Sequence, residues 1–198
     1  MDVAILVDTS EGISSIDFER EKNFVKSLVR SFTISSSLSR VSIMSYSNET
    51  DLTVNFPDQQ TKENLLRRVD ALPFLGGRTR IDQALETAAA QLFSPGGTAR
   101  TAVPRTVVIV TTQCCQDRMT GSSRLNETVA LLRRNGVKIL VTAVCDDDVD
   151  DEGLGTLVEE EEDIITADSF EGLAAAAEKV SAAASQVAGT FAFVLLLF

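Results

Sequence analysis

DVAILVDTSEGIS, residues 2–14, joins a nearly continuous apolar run to a polar turn. Asp2–Val7 reads as a strand buried on both faces, since its apolar residues do not alternate with polar ones. Downstream, Phe18, Phe24, Val25, Leu28, Val29 and Phe32 recur at helical spacing and predict a helix over Ser15–Phe32. Arg40–Tyr46 (RVSIMSY) alternates as a strand does, and Leu52–Phe56 is a second such run. Too few residues separate the two for a helical crossover, so they form an antiparallel hairpin.

The alternation continues along the chain. Helices are predicted over Thr61–Leu72 and Ile81–Phe93, joined by PFLGGRTR at Pro73–Arg80. Arg105–Thr112 (RTVVIVTT) is the second strongly buried strand. Leu125–Asn135 is helical and ends at Gly136, a C-cap position, before a strand at Lys138–Val144. A short helix around Leu154–Glu160, a strand at Asp163–Thr166 and a helix over Phe170–Ser185 follow. This order implies an α/β, doubly wound, mostly parallel six-stranded sheet with one antiparallel edge strand and helices on both faces. In such sheets the ligand crevice lies beyond the carboxyl ends of the strands. The two most apolar strands are expected to be central neighbours, so Asp8-Thr9-Ser10 and Gln113-Cys114-Cys115 flank that crevice.

The 198-residue chain is 44% hydrophobic and 24% charged, enough for one domain with a full core. It contains no histidine, which excludes imidazole nucleophile systems and His-ligated zinc. The formal net charge of −11 argues against nucleic acid or an anionic membrane as partner. Residues 146–163, DDDVDDEGLGTLVEEEED, hold 11 acidic residues, and the rest of the chain is neutral. The run lacks the alternation and glycine spacing of an EF-hand loop and reads as a solvated, self-repelling segment. No basic, leader-like segment precedes the first strand.

Asp8 and Ser10 occupy alternate positions of one turn, so a carboxylate and a hydroxyl can converge on a hard cation. Thr79 in GGRTRIDQAL, residues 76–85, follows a tight glycine loop and precedes a helix. The same three residues also read as helix caps. A phosphate-cradling loop is excluded, because the Gly-Lys-Ser/Thr ending is missing. Cys145 follows the strand beside the one that ends at Cys114 and Cys115. A disulfide from Cys145 to either is geometrically reasonable, and three buried thiols are the alternative. Asn48-Glu49-Thr50 and Asn126-Glu127-Thr128 are N-glycosylation acceptor triplets.

Taken together, residues 2–185 resemble the von Willebrand factor type A domain, or integrin I domain. DVAILVDTSEGIS is similar to its first strand and DxSxS motif, and DFEREKNFVKSLVRSF resembles the first helix of collagen- and matrilin-type members. GGRTRIDQAL resembles the Gly-Gly-x-Thr segment, and TVVIVTTQ stands in the place of the fourth strand. The resemblance implies a metal-ion-dependent adhesion site for Mg²⁺ or Mn²⁺, completed by an acidic side chain of a protein ligand. Asp8 and Ser10 match two DxSxS positions and Thr79 the threonine.

Two positions depart from that pattern: Gly12 stands where the second serine belongs and Gln113 where an aspartate belongs. Losing one unit charge beside a cation removes roughly 1–4 kcal/mol per charge pair near a surface, so the expected metal affinity is weak or absent. The expected function is an extracellular or cell-surface protein-binding module of the matrix or adhesion kind, not an enzyme. Arg78, Arg80 and Gln113 are its candidate ligand contacts. An intracellular scaffold domain is the alternative, and a phosphotransfer enzyme using Asp8 lacks the second carboxylate and the lysine partner that chemistry needs. Residues 1–186 are expected to form the domain. Val187–Phe198 (VAGTFAFVLLLF) is an apolar tail too short to span a bilayer alone, suited to membrane anchoring as part of a longer segment or a GPI signal.

Overall fold

The computed structural model describes residues 1–57, 60–112, 123–145 and 151–195. Strand β1 (Asp2–Asp8) pairs in parallel with β2 (Arg40–Tyr46) on one side and β4 (Arg105–Thr111) on the other. β3 (Thr50–Val54) runs antiparallel to β2, while β5 (Val137–Val144) and β6 (Ile164–Ala167) extend the parallel sheet beyond β4. The strand order is β3-β2-β1-β4-β5-β6, so the two most apolar strands lie side by side at the centre.

Each face of the sheet carries its own core. Val3, Ile5 and Val7 pack under α1 (Ser15–Ser31), α2 (Lys62–Asp70) and α6 (Leu173–Leu195). Ala4 and Leu6 face α3 (Ile81–Gln91), α4 (Ser123–Arg134) and the short α5 (Asp151–Gly155). This two-sided burial is why β1 reads as an unbroken apolar run. Gly136, at φ 68°, ends α4 as expected, its N–H donating to the Arg133 carbonyl at 2.8 Å.

Most element ends differ from expectation by one to three residues, and three regions differ for a visible reason or by more. β3 begins two residues earlier than predicted, because the hairpin closes tightly through Ser47 N–H to the Glu49 carbonyl at 2.8 Å. The helix predicted at Leu154–Glu160 is displaced: α5 occupies Asp151–Gly155, and a single 3-10 turn occupies Glu161–Asp163. Four consecutive glutamates repel one another, and the buried Leu157 and Val158 pin the intervening chain as a loop. α6 continues to Leu195, past the predicted Ser185, although its last described buried side chain is Ala184. Among the described residues no helix is long and apolar enough to cross a membrane.

Candidate functional site

Asp8 ends β1 at the carboxyl edge of the sheet and is fully buried. Its Oδ1 accepts from the Ser10 N–H at 2.9 Å, a turn that an aspartate closes on its own backbone. Thr9 points the other way: its N–H and its hydroxyl both donate to the Tyr46 carbonyl, at 2.9 and 3.1 Å, which ties the turn to β2. The second half of the site arrives on the loop between α2 and α3. Gly76 and Gly77 take φ values of 68° and 80°, in the left-handed region that glycine enters freely. Gly76 N–H donates to the Thr9 carbonyl and Glu11 N–H to the Gly77 carbonyl, both at 2.9 Å.

These bonds lace the loop to the Asp8 turn and bring Thr79 inward. Its Oγ1 lies 2.9 Å from Ser10 Oγ and 3.3 Å from Asp8 Oδ2. The cap readings do not describe these residues. Helix α1 is capped by Ser14, whose Oγ accepts from Asp17 N–H at 3.1 Å. Helix α3 has Arg80 at its cap position, with no side-chain cap bond. Ser10 and Thr79 thus turn their hydroxyls to Asp8 and not to a helix end.

Burial pushes the Asp8 carboxyl above the usual aspartate range, against hydrogen bonds from Ser10, Thr79 and the Thr112 backbone. Among the described residues no lysine or arginine forms an ion pair with it. A buried carboxylate without a counter-charge beside two hydroxyl oxygens suits a hard divalent cation: every donor is oxygen, and the charge is uncompensated. The set fits Mg²⁺ or Mn²⁺ chemically, with Asp8, Ser10 and Thr79 as the residues that would hold it. Its charge is low, for no group of three acidic, histidine or cysteine residues gathers among the described residues.

The remaining predicted residues are placed unevenly. Gly12 is exposed, with no heavy atom within 4 Å of where its Cβ would stand. Gln113, Cys114 and Cys115 lie outside the described residues, as does the part of the acidic run at 146–150. Arg78 is exposed, whereas Arg80 is held by Asp82 through two hydrogen bonds of 2.8 and 2.7 Å. Cys145, just after β5, is disulfide-bonded. Asn48 and Asn126 are both exposed, the first in the β2–β3 hairpin and the second in the first turn of α4. The Glu159–Asp163 stretch precedes β6 and so stands at the opposite end of the sheet from Asp8. There Asp163 pairs with Lys138 at 2.7 Å.

Two features went unread in the sequence. Glu21, on the inner face of α1, is fully buried with neither carboxyl oxygen hydrogen-bonded among the described residues. Burial, reinforced by the charges of Asp8 and Asp17, raises its carboxyl well above the usual range. Its spacing could have exposed it, since position 21 falls on the stripe of Phe18, Phe24, Val25 and Leu28. The second feature is an apolar rim: Ile16 and Phe74 are 64% and 47% exposed on the segments that flank the site. Phe74 is braced from below by an edge contact to Phe18 at 5.4 Å.

The sequence matches the von Willebrand factor type A domain over residues 2–179. It is 35% identical over 63% of its length to human von Willebrand factor A domain-containing protein 2, and 28% identical over 79% to mouse collagen alpha-4(VI) chain. It spans only 17% and 7% of those two relatives. Among solved structures, proximal thread matrix protein 1 from the mussel byssus, solved with a zinc-occupied MIDAS motif, superposes with a TM-score of 0.79. That match has 21% identity and covers 91% of this chain and 46% of the other. With the strand order and the Asp8–Ser10–Thr79 cluster already in place, the match over nearly the whole folded chain settles its membership: this protein belongs to the von Willebrand factor type A domain family.

Proposed function

We propose that this domain is a protein-binding module of the adhesion or matrix kind, working extracellularly or at a cell surface, and not an enzyme. The observation that carries the reading is the convergence of Asp8, Ser10 and Thr79 at the carboxyl edge of the two central strands. The three would hold Mg²⁺ or Mn²⁺ weakly, because Gln113 and Gly12 supply neither the second carboxylate nor the third hydroxyl. When bound, the cation supplies a Lewis-acid contact for a ligand carboxylate. Everything else is done by the chain: the Gly76–Gly77 loop sets Thr79, burial keeps water from Asp8, and Ile16 and Phe74 offer apolar surface to the residues beside that carboxylate. Arg78 is the basic contact at the rim, while Arg80 is already engaged by Asp82.

The remaining assignments accord with that setting. We assign Cys145 a disulfide to Cys114 or Cys115, glycan acceptor roles to Asn48 and Asn126, and a membrane-anchoring role to the apolar residues 187–198. Relatives among matrix proteins support the extracellular reading.

Calorimetric titration with Mn²⁺ tests the site. Wild type should bind weakly, and Gln113→Asp should bind at least about tenfold more tightly, the equivalent of one restored charge pair. Unchanged affinity would mean that Asp8, Ser10 and Thr79 do not form a cation pocket. Micromolar affinity in wild type would show that the site is not degenerate.

A further inference from the structure

Asn48 sits in the β2–β3 hairpin, 30 residues before the loop it touches. Its Oδ1 accepts from the Arg78 N–H at 3.0 Å. A Cβ added to Gly77 would stand 2.8 Å from Asn48 Nδ2 and 3.0 Å from its Cγ, so the amide group lies on the bare glycine backbone. The hairpin itself does not need this side chain, because its turn is closed by Ser47 N–H on the Glu49 carbonyl. Three backbone groups fix the segment that presents Thr79. Gly76 N–H and the Gly77 carbonyl are bonded to the Asp8 turn, and Arg78 N–H is bonded to Asn48. The third anchor is the one nearest Thr79 and the only one of the three made by a side chain.

We propose that Asn48 is a positioning residue of the site: without touching Asp8, Ser10 or Thr79, it fixes the Gly77–Arg78 backbone so that the Thr79 hydroxyl meets the other two. Gly77 is required for this arrangement twice over, once for its φ of 80° and once because any side chain would occupy the place of the Asn48 amide. An N-linked glycan would bond to Nδ2, the Asn48 atom packed nearest Gly77, so the anchor is tested on unglycosylated protein. The inference deepens the proposed cation site and rests on it only in part.

The test uses the whole chain as N48A and N48D. Metal-free amide hydrogen exchange is read over residues 76–80, Mn²⁺ affinity by titration, and global stability by urea denaturation. Loss of one neutral hydrogen bond corresponds to about three- to tenfold. N48A should speed exchange at Arg78 and weaken Mn²⁺ binding by that factor with an unaltered urea midpoint. N48D retains an acceptor oxygen and should restore slow exchange, with Mn²⁺ affinity at or above wild type. Exchange at Arg78 and Thr79 that stays within about twofold of wild type in N48A, less than one such bond is worth, would overturn the proposal. Faster exchange spread over every amide would also overturn it, since that is a general stability effect. Should wild type bind no Mn²⁺, the cation reading fails by itself, and the exchange at Arg78 still decides the role of Asn48.

Discussion

Replacing Glu21 by methionine should make this protein more stable, and the gain should grow with pH. The carboxyl group is fully buried under α1, and neither oxygen has a partner among the described residues. A buried polar group left unpaired costs about 1–3 kcal/mol. Methionine has similar length and volume, so the substitution keeps the packing while removing that penalty. For a chain of this size the shift corresponds to roughly 2–4 °C in Tm per kcal/mol.

The pH term follows from the direction of the shift. Burial first, then the charges of Asp8 and Asp17, raise the Glu21 pKa in the folded state. Between the ordinary glutamate value and the raised one, the unfolded chain has lost this proton and the folded chain keeps it. Stability is therefore full at acid pH and falls by about 1.4 kcal/mol per pH unit through that window. Asp8 is shifted in the same direction and its charge is coupled to Glu21, so the difference between the proteins reads Glu21 together with that coupling. Urea denaturation of wild type, E21M and E21Q at about pH 5 and about pH 7 reads both terms. E21M should gain at both, and E21Q should lose the Glu21 part of the pH slope, leaving that of Asp8, while keeping most of the unpaired-group penalty. A wild-type pH slope retained in both variants would refute the reasoning, as would destabilisation by E21M at neutral pH.

Gly12→Ser restores the missing hydroxyl of the motif, and the open space around Gly12 accepts it without displacement. Mn²⁺ affinity should rise by about three- to tenfold, one added hydrogen-bond-scale contact, and an unchanged titration would show that the turn directs position 12 away from Asp8. Arg100→Ala removes one of two arginines on buried Asp2, together with contacts to the Met1, Ser36, Ser37 and Leu38 carbonyls. The loss should be roughly 2–3 kcal/mol in urea denaturation, below the ~3–5 kcal/mol of removing a sole partner, because Arg40 remains. A midpoint equal to wild type would contradict that role for Arg100.

The fold was legible because its signals are redundant. β1 and β4 are apolar on both faces, the β2–β3 connection is too short for anything but a hairpin, and Gly136 marks the end of α4. Boundaries failed where local preference had to yield to repulsion or packing, as in the Glu159–Glu162 run. The site was half legible. Residue type and spacing picked out Asp8, Ser10 and Thr79, but could not separate a cap from a ligand, since both uses need the same oxygen near a helix start. Their convergence is set by the Gly76–Thr9 and Glu11–Gly77 backbone bonds, which join segments more than 60 residues apart. Asn48 was readable only as a glycan acceptor for the same reason, its partner being a backbone N–H on a distant loop.

The two ends of β1 explain why the site lies where it does. Asp2 and Asp8 are both fully buried carboxyls on one strand, about 20 Å apart by its rise per residue. At Asp2 burial opposes ionisation, but hydrogen bonds from Arg40 and Arg100 overcome it and hold the carboxyl below the usual range. At Asp8 burial wins, because among the described residues the groups that face it are hydroxyls and backbone N–H groups. Both arginines are supplied at the amino end: Arg40 opens β2, and Arg100 precedes β4, with its side chain folded back on the Met1 carbonyl. The carboxyl end receives glycine loops and hydroxyls in their place. One aspartate is thus neutralised within the fold and serves stability. The other has no basic side chain beside it among the described residues, which is the electrostatic ground for the cation proposed there.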